Sequence, residues 1–473
     1  MKKEKTYCFA VDLGATSGRT MTASFDGEKV ELNELTRFPN HMIPMGGHLY
    51  WDLPALYMEV LSALKKVAQS GIRIESIGID TWGCDFAFFG KDGQLLGLPC
   101  CYRDPHTEGA QEAYFRRNDK RELYEKTGIQ FMDINSIFQL DTLRRNKSVA
   151  LSKADKILFI PDALIYLLTG KQICEYTVAS TSQLLNPVTG DLDKSVLKSI
   201  GMRRRMFGKM TQPGTVVGTL SEQVRNFTGL DKVKVVAVAG HDTASAVAAV
   251  PAGSPDFAYL SCGTWSLMGV ETKHPVITDE SFGNNYTNEG GIDGTTRFLK
   301  NICGLWLLER CRAEWGGSVT SDIGELSALC EQSSYDIFID PDDPSFAHPE
   351  SMLSAIALYC QKNGLAVPES PADYVRCIFR SLARRYGEVL KKLSELTGND
   401  IKCLHVIGGG SLNPYLMQYT ANELHIPVIA GPAEGTAMGN ALLQLRATGK
   451  IRERTSIRTI SAKSVNTVKY EAE

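Results

Sequence analysis

The feature that most constrains the fold of this chain is a pattern that occurs once in each half of the sequence. A short apolar segment ends in a turn made of glycine and hydroxyl-bearing residues, first at residues 7–19 and again at residues 257–266. Compact apolar segments bounded by such turns are typical of buried strands. Because segments with helical periodicity follow in each half, the pattern predicts two α/β halves of related architecture, that is, a duplicated fold.

The length of the chain also indicates more than one domain. A single hydrophobic core seldom grows beyond roughly 250–300 residues, and this chain has 473. Glycine and proline concentrate at residues 239–255. We therefore predict an N-terminal domain of residues 1–245 and a C-terminal domain of residues 246–473, and we expect the polar tail after about residue 452 to be weakly ordered.

Periodicity and turn signals predict the main elements of each half. Alternating or fully apolar segments predict strands, Asp26-Gly27 predicts a hairpin, and apolar residues three and four apart predict helices. The predicted strands are residues 7–11, 19–25, 29–35, 76–80, 233–239, 257–261, 403–407 and 427–429. The predicted helices are residues 53–68, 372–396, 415–424 and 437–446, and a further helix that opens at Leu299 and runs to about Trp315.

Composition excludes several classes of protein. The 51 basic and 54 acidic residues nearly cancel to a net charge of -3, which gives no electrostatic reason to expect nucleic acid or an anionic membrane as a partner. No uncharged apolar run approaches the ~18 residues of a membrane span. The 12 cysteines are scattered without C-x-x-C or zinc spacing, so we expect buried thiols in a reduced, cytoplasmic protein.

Three turns have the small residues that allow a phosphate group or a flat ring to approach the backbone. Residues 12–19 read DLGATSGR, in which Asp12 could hold magnesium through water; an ordinary turn between two strands is the alternative. Residues 260–266, LSCGTWS, repeat this design, so the two turns together could clamp a polyphosphate. The glycines at 408–410 follow a strand without the spacing of G-x-G-x-x-G or of a P-loop, and a merely flexible turn is their alternative.

One acid is a candidate for acid–base chemistry. The strand at residues 233–239 leads through Gly240 and His241 to Asp242. A carboxylate that accepts the proton of an attacking alcohol is the base that phosphoryl transfer requires. Asp242 also precedes a helical segment, so N-capping is the alternative, and it is compatible with catalysis. For His241 alone, a structural role is the commoner one.

A polar turn near residue 80 has the side chains that a sugar site requires. Residues 80–86, DTWGCDF, combine two acids, a hydroxyl group and an indole at the end of a strand. Carboxylates can bind sugar hydroxyl groups, and an indole can face sugar C–H groups. The alternative is a buried tryptophan in a strand turn. Asn301 is a polar residue that does not fit core packing of the segment 299–306.

Nine segments carry a resemblance to a known family. They are VDLGATSGR at 11–19, DTWGCDF at 80–86, LPCCYRD at 98–104, NSIFQL at 135–140, GHDTASA at 240–246, TNEGG at 287–291, KNICGLW at 300–306, FIDPDDP at 338–344 and GGG at 408–410. Spread over nearly the whole chain, they resemble the FGGY carbohydrate kinases, a family within the actin-like, ribonuclease-H-like ATPases.

The resemblance implies a fold and an activity. The fold class is α/β, with two ribonuclease-H-like domains whose mixed sheets are flanked by helices, and with a cleft between them. The N-terminal domain would bind sugar and carry the first phosphate loop, and the C-terminal domain would bind nucleotide. The activity would be the Mg²⁺- and ATP-dependent phosphorylation of a ketose at O1, with L-rhamnulose as the expected sugar and L-rhamnose catabolism as its setting. The alternatives are phosphorylation of L-fuculose or of D-xylulose, or the activity of a sugar-independent ATPase. The chain would be a monomer or a homodimer.

The resemblance also assigns roles to individual residues. The ATP phosphates would contact Ala15, Thr16, Ser17, Gly18, Arg19 and Thr264, and the nucleotide would also meet Glu309, Gly408, Gly409 and Gly410. Asp242 would be the catalytic base, Asp12 would hold the metal, and the ketose would be bound by Trp82, Gly83, His241, Asp242, Thr243 and Asn301. Cys84 and Glu309 depart from the family's usual Val and Gln, and residues 138–140 replace a Lys-x-Trp segment that is common in the wider family.

Overall fold

The computed structural model describes the chain except for residues 1–4, 317, 318, 320, 321, 348 and 453–456. The chain forms two compact units that are interleaved along the sequence. Unit 1 comprises Met1–Pro251, Glu271–Phe298 and Thr436–Ser464, and unit 2 comprises Ala252–Val270, Leu299–Gly435 and Val465–Glu473. The domain boundary that we place between residues 245 and 246 stays a prediction.

The strands fall into two large mixed sheets and several two-stranded ones. In chain order they are β1 Thr6–Leu13, β2 Ser17–Phe25, β3 Val30–Pro39, β4 Met42–Met45, β5 His48–Trp51, β6 Ile74–Thr81, β7 Phe86–Phe89, β8 Lys156–Phe159, β9 Ile173–Glu175, β10 Leu185–Asn186, β11 Asp191–Leu192, β12 Lys209–Thr211, β13 Thr215–Thr219, β14 Lys234–Ala237, β15 Phe257–Cys262, β16 Trp265–Thr272, β17 Thr287–Gly290, β18 Thr296–Cys303, β19 Cys403–Ile407, β20 Val428–Ala430 and β21 Val468–Tyr470.

The helices connect these strands. They are α1 Leu53–Gln69, α2 Ala110–Phe115, α3 Lys120–Thr127, α4 Ser136–Arg145, α5 Val149–Lys153, α6 Ile160–Thr169, α7 Tyr176–Ser180, α8 Lys194–Ser199, α9 Glu222–Thr228, α10 Asp242–Ala248, α11 Asp279–Gly283, α12 Trp306–Trp315, α13 Ile323–Glu331, α14 Met352–Lys362, α15 Pro371–Thr397, α16 Pro414–Leu424, α17 Gly435–Ala447 and α18 Ile457–Ser464. Among the described residues, no helix combines the length and apolar character needed to cross a bilayer.

The two large sheets have the same strand order. The first runs β13-β14-β6-β1-β2-β3, and the second runs β21-β20-β19-β15-β16-β18, with β17 added at its edge. In the first sheet β1 pairs antiparallel with β2 and parallel with β6. In the second, β15 pairs antiparallel with β16 and parallel with β19. This shared topology confirms the predicted duplication.

Local sequence explains the two longest helices. Asp52 caps α1 by accepting from Ala55 N, and Leu56, Val60 and Leu64 lie on its buried stripe. These side chains belong to the same hydrophobic cluster as the central strands β1 and β6. Helix α15 begins with a capping box formed by Ser370 and Asp373, and it stops at Gly398 in the left-handed conformation.

The structure confirms most of the predicted elements and corrects two of them. The hairpin at Asp26-Gly27 forms, with Asp26 accepting from the backbone N–H groups of Glu28 and Lys29. The helix expected to open at Leu299 is wrong, because β18 continues through Cys303 and α12 begins only at Trp306. A Cβ at the intervening Gly304 would lie 2.7 Å from the carbonyl oxygen of Gly263, so this segment passes close to the turn between β15 and β16.

The expectation of a weakly ordered tail is also wrong for the described part of that segment. Helix α18 buries Ile457 and Ile460, and β21 extends the second sheet by pairing antiparallel with β20. Residues 453–456 of the tail lie outside the described residues. Apolar residues three apart and a short alternating segment were enough to order this polar sequence once a sheet edge was available.

Candidate active site

The candidate catalytic acids lie at the carboxyl edge of the first sheet. Strand β1 delivers Asp12, and the parallel strand β6 delivers Asp80 at the paired position. The backbone N–H of Thr81 donates to the carbonyl of Gly240, 2.9 Å away, which brings the segment before Asp242 to the same edge. Parallel strands end at one edge of a sheet, and the βαβ order of unit 1 therefore gathers three carboxyl groups there.

Asp12 is paired with an arginine from the neighbouring strand. Arg19 lies opposite Asp12 in the β1–β2 register. Its Nε and Nη2 atoms donate to Asp12 Oδ2 over 2.8 and 2.7 Å. Asp12 is only 4% exposed, so the guanidinium compensates a buried negative charge. The arginine predicted to contact phosphate thus also holds the acid predicted to hold metal.

Asp80 is the most deeply buried acid of this edge. Asn440 Nδ2 donates to Asp80 Oδ2 over 2.6 Å, and Asp80 Oδ1 has no hydrogen-bond partner among the described residues. Burial raises the pKa of Asp80 well above its usual value, and the negative charges of Asp12 and Asp242 raise it further. The motif that contains Asp80 is visible in the sequence, but its partner Asn440 comes from a distant helix and gives no sequence signal.

Asp242 is the first residue of α10, and His241 occupies the N-cap position without a side-chain cap. The N-cap alternative for Asp242 is therefore wrong by one position. Asp242 Oδ1 accepts from Thr243 N and from Thr243 Oγ1. Its Oδ2 atom makes no hydrogen bond with the described residues, and the side chain is 29% exposed. One carboxylate oxygen is thus fixed, and the other is free to accept a proton.

His241 links Asp242 to a buried ion pair that was not identified from the sequence. Arg297 Nη2 lies 3.1 Å from His241 Nδ1, and the opposite ring atom, Nε2, lies 3.4 Å from Asp242 Oδ1. Glu289 Oε2 lies 3.0 Å from Arg297 Nη2 and 3.3 Å from His241 Nδ1. When Arg297 donates to Nδ1, a neutral His241 carries its proton on Nε2, toward Asp242.

This ion pair is among the most buried charged groups in unit 1. Arg297 is 0% and Glu289 is 4% exposed, and Arg297 Nε also donates to the carbonyl of Gly290. Burial raises the pKa of Glu289. The charge of Arg297 and the contacts of Glu289 with His241 outweigh burial and hold that pKa below its usual value. Glu289 lies in the TNEGG segment, whereas nothing in the sequence distinguishes Arg297.

The turn at residues 80–86 uses its second acid internally. Asp85 Oδ2 accepts from Trp51 Nε1, Trp82 Nε1 and Tyr102 N over 2.5, 3.0 and 3.1 Å. Its Oδ1 accepts from Gln139 Nε2 over 2.9 Å. Burial raises the pKa of Asp85 to about 6, although these four donors favour its charged form. The glutamine of the 138–140 segment therefore has a structural partner in Asp85.

The remaining residues of this turn leave little room for larger side chains. Trp82 is 5% exposed, and its indole N–H donates to Asp85 Oδ2. A Cβ at Gly83 would lie 2.8 Å from Thr181 Oγ1, which in turn accepts from Cys84 N over 3.0 Å. Cys84 has a positive φ of 71°. The sulfur-containing residue in place of the expected valine donates to the carbonyl of Thr181.

The first glycine-rich turn is partly accessible. Gly14 N donates to the carbonyl of Ser17, and Asn40 N donates to the carbonyl of Thr16. Thr16 is exposed, while Ala15 and Ser17 are half-buried. Gly18 is buried, and a Cβ there would lie 2.3 Å from the Phe38 ring. The need for glycine at position 18 therefore has a packing reason.

In unit 2 the corresponding turn packs against the start of α12. Thr264 Oγ1 donates to Glu309, with its two carboxylate oxygens at 3.2 and 3.3 Å. The backbone N–H groups of Leu305 and Trp306 donate to the carbonyls of Gly263 and Thr264. The structure thus brings together two residues, Thr264 and Glu309, that the resemblance assigns to the nucleotide.

The three glycines after β19 have different surroundings. Gly408 has φ of 88°, and a Cβ at Gly410 would lie 2.2 Å from Cys262 Sγ. A Cβ at Gly409 would meet nothing within 4 Å. Gly408 and Gly410 are therefore explained by conformation and packing. Gly409 alone presents open backbone on which a flat ring could lie.

The predicted site residues are divided between the two units. Unit 1 contains Asp12, Ala15, Thr16, Ser17, Gly18, Arg19, Trp82, Gly83, His241, Asp242 and Thr243. Unit 2 contains Thr264, Asn301, Glu309, Gly408, Gly409 and Gly410, with Asn301 on β18. Acids and their partners are concentrated in unit 1, and small or hydroxyl-bearing residues are concentrated in unit 2.

Two family models match nearly the whole chain. The N-terminal domain of the FGGY family of carbohydrate kinases matches residues 7–249, and the C-terminal domain of the same family matches residues 258–448. The chain therefore belongs to the FGGY family of carbohydrate kinases, which are phosphotransferases with an alcohol group as acceptor.

Relatives with established names extend this result. A protein named rhamnulokinase from Bacteroides thetaiotaomicron is 54% identical over 457 residues, which cover 97% of this chain and 94% of the relative. A second protein of that name, from Pectobacterium atrosepticum, is 42% identical, and the match covers 95% of this chain and 90% of the relative.

Solved structures of kinases share the fold. Gluconate kinase from Lactobacillus acidophilus superposes with a TM-score of 0.81 at 16% identity, covering 99% of this chain and 94% of that one. Xylulose kinase from the same organism gives 0.80 at 17% identity with the same coverage. Their likeness confirms the predicted fold class, two related α/β domains with mixed sheets flanked by helices.

Proposed function

We propose that this protein transfers the terminal phosphoryl group of ATP to O1 of L-rhamnulose, giving L-rhamnulose 1-phosphate and ADP. The observation that carries the proposal is the 54% identity, over 97% of the chain, to a protein named rhamnulokinase. Identity at this level across both family domains favours a shared substrate over a merely shared fold. The 12 free cysteines favour action in a reducing cytoplasm.

In this proposal Asp242 is the catalytic base. Its Oδ2 atom has no partner among the described residues, and its Oδ1 atom is held by Thr243. A carboxylate fixed in this way can accept the proton of the sugar hydroxyl while that oxygen attacks phosphorus. His241 presents Nε2 toward Asp242 Oδ1, which would orient the carboxylate.

The sugar and the nucleotide would be bound by different groups of residues. We assign the ketose to Gly83, His241, Thr243 and Asn301, with Trp82 acting through its ring because its N–H already serves Asp85. We assign the phosphates to Ala15, Thr16, Ser17, Gly18, Arg19 and Thr264, and the nucleoside to Glu309, Gly408, Gly409 and Gly410. Among the three glycines, the open backbone at Gly409 favours contact with the adenine ring.

The acids of unit 1 fit a magnesium ion that accompanies ATP. Mg²⁺ prefers oxygen ligands and retains several waters. Asp12 would hold it through water, and the orphaned Oδ1 atom of Asp80 is a further oxygen at the same edge. Bound Mg²⁺ would neutralise charge on the transferring phosphate. Arg19 would hold Asp12 in place for that role.

A panel of ketoses in an ADP-release assay tests the proposed substrate. We expect turnover with L-rhamnulose well above that with L-fuculose and D-xylulose, and little ADP release without sugar. A preference for either of the other ketoses would contradict the assignment of L-rhamnulose while preserving the carbohydrate kinase class. Equal ADP release with and without every sugar of the panel would contradict phosphoryl transfer to a sugar.

A further inference from the structure

A cluster of three metal-ligating side chains lies in unit 1, on the segment that follows β7. Cys100, Asp104 and His106 each offer one ligand atom, and these atoms lie within 4.8 Å of one another. Cys100 Sγ is 3.4 Å from His106 Nδ1, and His106 Nδ1 is 2.8 Å from Asp104 Oδ1. No familiar zinc-binding motif marks this segment in the sequence, because the cluster mixes three residue types.

The backbone around the cluster is fixed before any ligand is considered. Asp104 Oδ2 accepts from Leu49 N over 2.6 Å, and its Oδ1 accepts from His106 N over 2.9 Å. Cys101 N donates to the carbonyl of Leu49, and the backbone of Cys100 forms an isolated antiparallel β-bridge with Tyr50 of β5. The side chains of Asp104 and His106 are 0% and 4% exposed. Such anchoring keeps the ligand atoms in place.

A second histidine faces the carboxylate of the cluster. A second imidazole, His48 Nδ1, also lies 3.1 Å from Asp104 Oδ1, so one carboxylate oxygen faces two ring nitrogens. The His48 side chain is 48% exposed and can turn. Ring nitrogens of two histidines and the thiol of Cys100 therefore surround one carboxylate oxygen.

The spacing suits a tetrahedral ion. Zinc binds Cys sulfur at about 2.3 Å and His nitrogen or carboxylate oxygen at about 2.0–2.2 Å, which places neighbouring ligand atoms roughly 3.3–3.6 Å apart. The sulfur–nitrogen distance of 3.4 Å already lies in this range. The nitrogen–oxygen distance of 2.8 Å requires an opening of roughly half an ångström.

We propose that Cys100, Asp104 and His106 bind one Zn²⁺ ion, with His48 as the fourth ligand. Binding replaces water ligands of the ion by one Zn–S, two Zn–N and one Zn–O bond, and it releases the thiol proton of Cys100 to solvent without any change of oxidation state. One thiolate and one carboxylate then neutralise the two charges of the ion. The ion would tie β5 to the segment that carries Tyr102, whose N–H donates to Asp85, so its role would be structural.

Cobalt titration of the full-length protein tests this site, because a Co²⁺–thiolate bond gives a charge-transfer absorption that oxygen and nitrogen ligands do not. We expect this band at one Co²⁺ per chain, and its disappearance when Zn²⁺ is added. Cys100→Ser should abolish the band. Cys403→Ser is the matched control, because Cys403 is also half-buried but lies outside the cluster, and it should keep the band.

A second pair of measurements keeps the proposal falsifiable if Cys100→Ser folds poorly. His48→Gln changes a half-exposed ligand, and it should weaken Zn²⁺ binding by no less than the roughly 10–100-fold cost of losing a second-shell partner. Metal analysis of wild type after incubation with Zn²⁺ and desalting should give one zinc per chain. No bound zinc, no thiolate band in wild type, or a band that survives in folded Cys100→Ser would each overturn the proposal. None of these readouts depends on kinase activity.

Discussion

The two large sheets share one strand order but differ in the chemistry at their carboxyl edges. In unit 1 the register of the central parallel strands pairs Asp12 with Asp80. In unit 2 the register of the corresponding strands pairs Ser261 with Ile407. The same backbone design therefore has an acidic edge in unit 1 and an uncharged edge in unit 2.

The acidic edge requires compensation that the uncharged edge does not. Buried carboxylates lose hydration, so unit 1 supplies Arg19 for Asp12, while burial raises the pKa of Asp80. In unit 2, the Thr264 hydroxyl donates to Glu309, and Gly409 presents open backbone without a comparable desolvation cost. We infer that proton and metal chemistry belongs to unit 1, and that unit 2 contributes nucleoside contacts.

Removing the proposed base should have the largest effect. Asp242→Asn keeps the size of the side chain but removes its ability to accept a proton, so we expect kcat to fall by about 10²–10⁴-fold, the usual contribution of general base catalysis. Sugar binding, measured by calorimetry, should change little. Asp231→Asn, at an exposed position of unit 1, should keep wild-type kcat. A near-normal kcat in Asp242→Asn would remove this residue from the mechanism.

Breaking the buried ion pair should cost stability. Arg297→Met retains the apolar stem but leaves Glu289 buried without its cation, so we expect the free energy of unfolding to fall by about 3–5 kcal/mol. Arg446→Met is the control, because its partner Asp293 is 60% exposed and such surface pairs contribute about 1 kcal/mol or less. Urea unfolding measures both. Equal losses for the two variants would contradict the distinction between buried and surface pairs in unit 1.

The pKa of Asp85 predicts a dependence of stability on pH. Folding raises this pKa from 3.8 to about 6, so the folded state holds the proton in a window where the unfolded state has lost it. The free energy of unfolding should therefore decrease as pH rises from about 4 to about 6, by about 3 kcal/mol from this group.

The change in the free energy of unfolding with pH separates the titration of Asp85 from the hydrogen bonds that an Asp85 variant loses. Asp85→Asn should be less stable overall, yet its stability should fall less than that of wild type over the same pH window. Asp400→Asn, at an exposed position of unit 2, should keep the wild-type slope. Urea unfolding at several pH values measures all three proteins, and an unchanged slope in Asp85→Asn would contradict the prediction.

Sequence alone predicted the duplicated strands because period-two alternation and turn residues are local signals. It placed Asp12, Asp242 and the glycines at strand ends for the same reason. It did not predict that Arg297 contacts His241 or that Asn440 contacts Asp80, because those contacts join residues 56 and 360 positions apart. It also misjudged residues 299–303, because the spacing of apolar residues in so short a segment is compatible with either a strand or a helix, and pairing with neighbouring strands decides.

The smallest effects should come from the uncharged edge. Substitution of two adjacent glycines there distinguishes a packing role from a role in nucleotide binding. Gly410→Ala would place a methyl group against Cys262 Sγ, so we expect the free energy of unfolding to fall by about 1–3 kcal/mol. Gly409→Ala meets nothing within 4 Å, so stability should be unchanged. If the adenine ring rests on this backbone, the added methyl should instead raise KM for ATP about fivefold, or about 1 kcal/mol, and leave KM for the sugar unchanged. A stable Gly409→Ala variant with wild-type KM for ATP would show that the nucleoside lies elsewhere.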